Sequence, residues 1–168
     1  AERLIEFLKQ TPGAGVKRLE FAGSLRRGAE TIGDIDLLAI AAKPAKLTEA
    51  FTSMPLVSQV LGKGETKSSV RINRGIQVDL RIIDEDSFGA ALMYFTGSKL
   101  HNVALRERAI KMKLRLNEYG LYPLDEIDEP PQKRGIKPVA SKTEEDIYRK
   151  LKLPYFPPEM REDRGELA

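Results

Sequence analysis

The chain has 168 residues, a formal net charge of +3 and 41% hydrophobic residues. This length and composition predict a globular protein of one compact domain or two small ones and exclude an intrinsically disordered chain. The absence of cysteine excludes disulfides and thiolate metal sites, and a single histidine excludes zinc sites built from several histidines. Any metal is therefore expected to be held mainly by carboxylates, the hard oxygen ligands that favour Mg²⁺ or Mn²⁺.

The first half of the chain predicts a sheet with two helices, on the basis of apolar spacing and of Pro and Gly positions. In chain order, the predicted elements are a helix over 2–10, a strand before Gly23, a strand over 34–41, a helix over 46–53, strands over 56–61 and 67–73 around a turn at Gly62–Gly64, and a strand over 77–83. No apolar run approaches the length of a membrane span, and no signal peptide opens the chain.

The second half begins at the acidic run 84–86, where we expect a boundary between subdomains. The predicted elements are a helix over 87–94, a helix over 99–113 with Ser98 as its N-cap, a strand over 116–121, an acidic loop over 125–135, a helix opened by a capping box at Ser141–Glu144 and running to about 152, and a non-helical tail over 153–158 that packs across the subdomain.

Two aspartates open the predicted strand 34–41. Successive side chains of a strand alternate between its faces, so Asp34 and Asp36 point to the same side with Cα atoms about 6.5–7 Å apart. Two like charges held so close repel each other, which favours a cation between them.

The turn before these aspartates offers groups that bind anions. Gly23 and Gly28 let the backbone approach a phosphate closely, Ser24 supplies a hydroxyl, and Arg26 and Arg27 supply guanidinium groups. The lysine of a Walker loop is missing, so this is not a P-loop. Taken singly, these residues indicate only a β-hairpin with solvated arginines; their conjunction favours a metal and phosphate site.

The strand over 77–83 alternates cleanly, with Val78, Leu80 and Ile82 on one face and the polar residues on the other. Asp79 is thereby a candidate third carboxylate, and three carboxylates on neighbouring strands suit a pair of divalent ions. On its own, Asp79 would be read as a surface residue of an amphipathic strand.

The helix predicted over 99–113 has two faces. An apolar stripe of Leu105, Ala109, Met112 and Leu116 is expected to be buried. A polar, basic stripe consists of Lys99, Asn102, Arg106 and Lys113. Such a stripe is usually solvated, but its place after an aromatic-Gly turn is also compatible with contacts to phosphates or base edges.

These residues together resemble a known family. The pattern Gly23-Ser24-x-Arg26-Arg27-Gly28-x-Glu30-x-x-Gly33-Asp34-x-Asp36, then Asp79, then Tyr94-Phe95-Thr96-Gly97-Ser98 with Asn102 and Arg106, is similar to that of the family X DNA polymerases, above all to the bacterial and archaeal branch. The first part alone is shared by the wider nucleotidyltransferase superfamily; the second part makes the resemblance specific.

The resemblance implies an α+β fold in two parts. Residues 1–83 would form a nucleotidyltransferase-type catalytic palm, with a mixed or antiparallel sheet flanked by helices. Residues 84–168 would form a small α+β thumb, the nucleotide-selecting subdomain. The implied activity is that of a DNA-directed DNA polymerase of the gap-filling type, as in base excision repair, which transfers a dNMP from a dNTP to a primer 3′-OH with two Mg²⁺ ions, Mn²⁺ being a possible substitute.

The resemblance also implies roles for single residues. Asp34, Asp36 and Asp79 would be the catalytic metal ligands, and Asp79 would lie where the primer 3′-OH is deprotonated. The implied nucleotide-binding residues are Gly23, Ser24, Arg27, Gly33, Tyr94, Phe95, Gly97 and Asn102. The implied DNA-binding residues are Arg81, Lys99, Arg106 and Tyr119. Arg81 matches an arginine that pairs with an active-site aspartate in the inactive state.

The implied partners are a dNTP and primer–template or gapped DNA, without a membrane, for a monomer in the prokaryotic cytoplasm with the nucleoid. The family's N-terminal lyase and fingers domains and the C-terminal phosphoesterase domain of bacterial members have no counterpart in this sequence. We therefore expect a part of a longer parent chain that binds DNA weakly. Gln77 stands where many relatives carry a basic residue near the primer terminus.

Two other functions stay open at this point. One is a template-independent nucleotidyltransferase that acts on nucleic acid ends, RNA, a protein or a small molecule, which the carboxylates and the central turn fit equally well. The other is a fragment that binds dNTP or DNA but is inactive without further domains. Template dependence of the incorporated base separates the first of these from a polymerase.

Overall fold

The computed structural model describes residues 2–29 and 34–167, with the backbone alone at Arg74. The chain divides into two compact units, Ala1–Asp84 and Glu85–Ala168. The division lies one residue after the expected boundary, and the roles of palm and thumb stay predictions. No helix in the described part of the chain is long and apolar enough to cross a membrane.

The first unit is a five-stranded sheet with helices. Its elements are α1 (Glu2–Lys9), β1 (Val16–Ala22), α2 (Gly23–Arg26), β2 (Asp34–Ala41), α3 (Pro44–Thr52), β3 (Val57–Lys63), β4 (Lys67–Ile72) and β5 (Gln77–Ile82). The strand order is β1-β2-β5-β4-β3. The β2–β5 pair is parallel and the other pairs are antiparallel, so the expected α+β fold with a mixed sheet is confirmed.

One face of this sheet carries the core of the unit. Period-two alternation sends Leu37 of β2 and Val78 and Leu80 of β5 to that face, where Leu8 of α1 and Phe51 of α3 pack against them. All five side chains are buried. Because Leu37, Val78 and Leu80 occupy this face, the alternate residues of β2 and β5 project from the other face, and these include the aspartates.

The second unit packs helices against a two-stranded sheet. Its elements are α4 (Phe88–Thr96), α5 (Lys99–Lys111), β6 (Leu114–Asn117), β7 (Gly120–Pro123) and α6 (Glu144–Lys150), with 3-10 turns at Glu85–Ser87, Pro131–Arg134 and Pro158–Met160. Its core joins Leu105 of α5, Leu121 of β7, Ile147 and Tyr148 of α6, and Phe156 of the tail. The tail therefore packs into the unit, as its sequence predicts.

Two elements of the second unit differ from the prediction. The prediction of one strand over 116–121 is wrong, because β6 and β7 form a hairpin in this region. Asn117 stabilises the turn of the hairpin: its side-chain oxygen accepts hydrogen bonds from the N–H groups of Tyr119 (2.8 Å) and Gly120 (3.1 Å). The N-cap of α6 is Thr143, which accepts from the Asp146 N–H at 3.1 Å, and not Ser141.

Two predictions about α5 have different outcomes. Ser98 is the N-cap as expected and accepts a hydrogen bond from the His101 N–H at 3.2 Å. The helix ends at Lys111, however, because Lys113 adopts a positive φ of 61°. Met112 therefore lies beyond the helix and Leu116 on β6, so the expected apolar stripe is split between two elements.

Candidate active site

The register of two parallel strands brings the aspartates together. Asp36 of β2 lies opposite Asp79 of β5, and Asp34 lies opposite Gln77. Paired residues of neighbouring strands project from the same face, so the three carboxylates share the face of the sheet opposite the core. Asp79 is only 7% exposed, which contradicts the alternative of a solvated surface residue.

Arg81 pairs directly with one of these carboxylates. It lies two residues after Asp79 on the same face of β5, and its Nη1 donates to Oδ1 of Asp36 at 2.8 Å. Both side chains are partly buried, at 18% and 25% exposure, so water screens the pair less than it would on an open surface. The contact agrees with the pairing that the sequence resemblance implies for Arg81.

Two observations explain why position 23, directly after β1, is a glycine. Its φ of +66° is strained for any residue with a Cβ, and a Cβ built at this position would lie 2.8 Å from Oδ2 of Asp36. The glycine thus brings backbone against the Asp36 carboxylate on the side opposite β5. Ala22, the last residue of β1, pairs with Asp36 and fixes this approach.

Two neutral side chains donate hydrogen bonds to Asp79. The Ser69 hydroxyl donates to Oδ1 at 2.6 Å, and Nε2 of Gln77 donates to the same oxygen at 3.1 Å. Ser69 lies opposite Asp79 on β4. These donors orient the buried carboxylate without neutralising it. The residue type that departs from the family pattern, Gln77, is therefore a partner of Asp79.

The predicted anion-binding turn begins with the short helix α2, directly after β1. The carbonyl of Gly23 accepts from the Arg27 N–H at 3.2 Å, and the carbonyl of Ser24 accepts from the Ala29 N–H at 3.0 Å. Ser24 and Arg27 thus lie on one tight turn that starts beside Asp36. Gly33, the other predicted phosphate contact in this stretch, lies outside the described residues.

The carboxylates are not arranged as a finished metal site. Within residues 2–29 and 34–167, no three His, Asp or Glu side chains form a group that could hold a metal ion. Arg81 holds Asp36, while Ser69 and Gln77 hold Asp79. The donor chemistry still fits a hard divalent ion, because three carboxylates on two adjacent strands share one face and Gly23 leaves space beside the Asp36 carboxylate that a Cβ would fill. The metal role of Asp34, Asp36 and Asp79 stays a prediction.

The second unit holds its predicted nucleotide-binding residues at the junction of α4 and α5. Nδ2 of Asn102 donates to the carbonyl of Tyr94 at 2.8 Å, which ties the first turns of α5 to the end of α4. The rings of Tyr94 and Phe95 meet edge to face with centroids 5.0 Å apart. Gly97 ends α4 with a φ of +69°, which favours glycine at this position.

A small pocket opens beside this junction. It is lined by Ala90, Met93, Tyr94, Asn102, Arg106, Leu116 and Asn117. Three of the predicted site residues, Tyr94, Asn102 and Arg106, therefore share one concave surface. Phe95 and Gly97 lie next to it in sequence but do not line it.

The remaining predicted residues lie on the surface of the second unit. Lys99 is exposed in the first turn of α5, and Tyr119 is 43% exposed in the turn between β6 and β7. Sequence reasoning missed Asn117 in the pocket and Ser69 beside Asp79. Asn117 could have been found from its Asn-x-x-Gly spacing, which is typical of an Asx turn, whereas Ser69 carries no such signal.

Comparisons with known proteins find similarity over most of the chain. The family model for the DNA polymerase beta thumb matches residues 91–162, within the second unit. The chain is 36% identical over 148 residues to the DNA polymerase/3'-5' exonuclease PolX of Bacillus subtilis (strain 168), an alignment that covers 87% of this chain and 24% of that protein.

Two vertebrate proteins are also similar. DNA-directed DNA/RNA polymerase mu of Homo sapiens is 39% identical over 89 residues (52% of this chain and 16% of the relative). DNA polymerase lambda of Rattus norvegicus is 28% identical over 160 residues (83% and 28%). The chain thus spans between 16% and 28% of the length of these three relatives. The motif residues, the mixed sheet with its paired aspartates, and these similarities show that the chain belongs to the family X DNA polymerases.

Proposed function

We propose that the chain carries the catalytic and nucleotide-selecting parts of a gap-filling, DNA-directed DNA polymerase. In the proposed reaction, the 3′-oxygen of a primer forms a bond to the α-phosphorus of a dNTP. The bond between that phosphorus and the leaving pyrophosphate oxygen breaks, and the proton of the 3′-hydroxyl is taken up by Asp79. The observation that carries this proposal is the register of β2 and β5, which places Asp36 opposite Asp79 with Asp34 on the same face.

Asp79 suits the role of proton acceptor because of its surroundings. It is buried, and two neutral donors, Ser69 and Gln77, orient it through Oδ1 alone. A carboxylate fixed in this way pays little reorganisation when a hydroxyl is brought to it, which is how positioning contributes to phosphoryl transfer.

Arg81 and Asp36 supply a resting state. While Nη1 of Arg81 holds Oδ1 of Asp36, that carboxylate is engaged in an ion pair. We propose that substrate binding transfers Arg81 to another partner and frees Asp36, so that the active arrangement forms only with the substrate present.

Asp34, Asp36 and Asp79 would hold the two Mg²⁺ ions that the family implies, with Mn²⁺ as a substitute. When bound, such ions make the 3′-hydroxyl easier to deprotonate and neutralise charge on the triphosphate. Gly23, Ser24 and Arg27 would contact the β- and γ-phosphates, for which the turn offers backbone N–H groups and a guanidinium.

Tyr94, Asn102 and Arg106 would select the nucleotide. The hydrogen bond from Asn102 to the Tyr94 carbonyl couples the residue that would meet the base to the residue that would lie against the sugar. Arg106, one helical turn further along α5 and on the same pocket, would contact the templating base.

The test is primer extension on a duplex with a one-nucleotide gap, at low salt, with each dNTP supplied singly together with Mg²⁺ or Mn²⁺. Low salt is needed because phosphate contacts weaken steeply as salt rises. We expect addition of the complementary nucleotide only. The matched control is an intact duplex without a gap, which should not be extended.

The other outcomes identify the alternatives. Addition irrespective of the template would replace the proposal by a template-independent nucleotidyltransferase. No addition, with metal-dependent dNTP binding retained by calorimetry, would show that the chain holds the nucleotide but requires further domains to hold DNA.

A further inference from the structure

The C-terminal tail, here residues 153–167, folds onto the first turn of α5. The Ser98 N–H donates to the carbonyl of Arg161 at 2.8 Å, and three residues further on, Nδ1 of His101 lies 2.6 Å from Oε1 of Glu166. Ser98 is also the N-cap of α5. The tail therefore contacts both the cap and the first turn of the helix that carries Asn102 and Arg106.

The contact between His101 and Glu166 is buried and preformed. The two side chains are 0% and 3% exposed. The carboxylate of Glu166 is fixed from its other side by the N–H groups of Asp163 (2.9 Å) and Arg164 (2.7 Å). A tight turn of the tail thus presents one carboxylate to one imidazole, in a place that water hardly reaches.

The protonation of this pair follows from its contacts. Burial lowers the pKa of His101 below its usual 6.5 despite the opposing effect of Glu166, so the imidazole is neutral at pH 7. For Glu166, burial acts to raise the pKa, but the hydrogen bonds from His101 and from backbone N–H groups outweigh it and leave the pKa below 4.5. A charged carboxylate only accepts, so Nδ1 of His101 carries the proton and Nε2 accepts from the Tyr148 hydroxyl at 2.9 Å.

A second buried pair anchors the tail to α6. Nη1 of Arg161 lies 2.6 Å from Oε2 of Glu144, and Nε of Arg161 donates to the carbonyl of Phe156 at 2.9 Å. The guanidinium also lies over the rings of Tyr148 and Tyr155, at 5.3 and 5.4 Å. The tail is therefore a strap with one end fixed on α6 and the other on α5.

We propose that His101 is a positioning residue for nucleotide selection: its contact with Glu166 fixes the first turn of α5, and this fixes the neighbouring Asn102 and, one turn further, Arg106. The inference rests on the proposed function, because nucleotide selection has meaning only for a polymerase. Glu166 is not part of the motifs that carry the resemblance to the family. The helix transmits the constraint because consecutive turns are rigidly connected by main-chain hydrogen bonds.

The first test does not depend on activity. The chain has one histidine, so imidazole nitrogen spectra report His101 without assignment. We expect the tautomer with the proton on Nδ1 in the wild type. In Glu166→Ala, which removes the acceptor, we expect the ring signals to change and the Asn102 side-chain amide, which donates to Tyr94, to move towards the shift of a solvated amide.

A matched control is Asp125→Ala in the same unit. Asp125 also takes part in an ion pair, with Arg134, but its hydrogen bonds are to Arg134 and to the Ile127 N–H and not to the first turn of α5. This variant should leave the His101 and Asn102 signals unchanged. If the Asn102 amide is equally unchanged in Glu166→Ala, the tail does not position α5 and the proposal is wrong.

The second test is kinetic. We expect Glu166→Ala and His101→Phe to raise KM for the complementary dNTP about tenfold and to lower discrimination against the wrong dNTP, with kcat within about twofold. His101→Gln, whose amide still donates to Glu166, should keep KM within about threefold of the wild type. If the pair of His101 and Glu166 were only structural, the variants would lose stability, KM and kcat would change together, and glutamine at position 101 would not restore KM.

The two tests separate the two proposals. If the wild-type chain shows no extension of gapped DNA, the proposed function fails while the spectra still decide whether the tail positions α5. If extension is templated and KM is unchanged in Glu166→Ala and His101→Phe, the positioning role fails alone.

Discussion

The two units place their candidate sites on different kinds of structure. In the first unit, the site lies on a sheet, where Asp36, Asp79 and Ser69 occupy matched positions on three adjacent strands. In the second, it lies on turns and helix ends, where the junction between Tyr94 and Asn102 is braced by the tail. A site on strands is fixed by backbone register, whereas a site on caps depends on side-chain contacts between distant parts of the chain.

This difference has a consequence for robustness. Shifting the register by one residue would turn every side chain of a strand to the opposite face, so the core itself protects the arrangement of the aspartates. No such protection exists for the first turn of α5, which relies on buried pairs such as the one formed by His101 and Glu166, 65 positions apart. Substitution of an aspartate in the first unit should therefore affect chemistry with little effect on the fold, and substitutions around the first turn of α5 should affect substrate selection.

The largest expected effect is that of Asp79→Asn. The amide has the same shape and its oxygen still accepts from Ser69, so the fold should be retained, but the negative charge and the proton acceptor are lost. We expect the rate of single-nucleotide addition to gapped DNA to fall about a thousandfold, with an unchanged circular dichroism spectrum. Asp84→Asn, an exposed carboxylate five residues further on, is the control and should retain the wild-type rate. Activity of Asp79→Asn within tenfold of the wild type would refute the role of Asp79.

The second unit should respond most strongly in stability, at Gly89. A Cβ at this position would lie 2.4 Å from backbone atoms of Thr143, the N-cap of α6, and backbone cannot move aside as a flexible side chain can. We expect Gly89→Ala to lower the free energy of unfolding by about 3 kcal/mol, the upper part of the range for overpacking. Urea unfolding measures this, and Gly62→Ala, with no atom within 4 Å of its Cβ, should be near neutral. Equal stabilities of the two variants would show that α4 and α6 do not pack this closely.

The sheet site could largely be predicted from the sequence, because its geometry follows from local alternation. The strand 34–41 and the polar face of residues 77–83 were both predictable, and only the pairing of β2 with β5 had to be supplied by the fold. The resemblance also implied that Arg81 pairs with an active-site aspartate, and the structure shows that this aspartate is Asp36. Ser69 could not be predicted, because its role depends on β4 lying beside β5.

The second site was less predictable for the same physical reason. Tyr94, Asn102 and Arg106 follow from the motif and from helical spacing, but the pocket that they share is completed by Asn117 from a hairpin that the sequence suggested was one strand. The contact of His101 with Glu166 has no local pattern at all. Contacts between residues far apart in the chain and without a common period leave no trace in a single sequence.

A pair of glycines in the first unit tests how closely backbone approaches the site. Gly23 and Gly28 both have a positive φ, of 66° and 71°, so alanine at either position should cost about 1 kcal/mol of stability. Only at Gly23 would the Cβ also crowd Oδ2 of Asp36. We expect Gly23→Ala to lose about 1 kcal/mol more than Gly28→Ala in urea unfolding, and to show the larger loss of nucleotide addition. The same stability and activity for both variants would mean that Asp36 moves away from β1 freely.

The smallest expected effect is the pH dependence of stability that the second unit contributes. Burial holds the pKa of His101 below 6.5 in the folded chain, against Glu166 and Asp163, which act to raise it, and with Arg161, which acts to lower it. The unfolded chain therefore binds more protons than the folded one as the pH falls below 6.5, so stability is fully present above that pH and is lost progressively below it. Glu166, whose pKa also lies below its usual value, adds a second loss in the same direction below pH 4.5.

His101→Gln separates these two contributions, since glutamine does not titrate while Glu166 remains. We expect the decrease in the free energy of unfolding between about pH 7 and pH 5 to be smaller in this variant than in the wild type, with the decrease at lower pH retained. Tyr148→Phe serves as the control: it removes the hydroxyl that donates to Nε2 but leaves the titrating imidazole and its contact with Glu166. The pH dependence between 7 and 5 should therefore persist in Tyr148→Phe. A wild-type slope of zero in this interval would show that His101 is as easily protonated in the folded chain as in the unfolded one, and the imidazole would then not be the buried, neutral donor on which the contact with the tail depends.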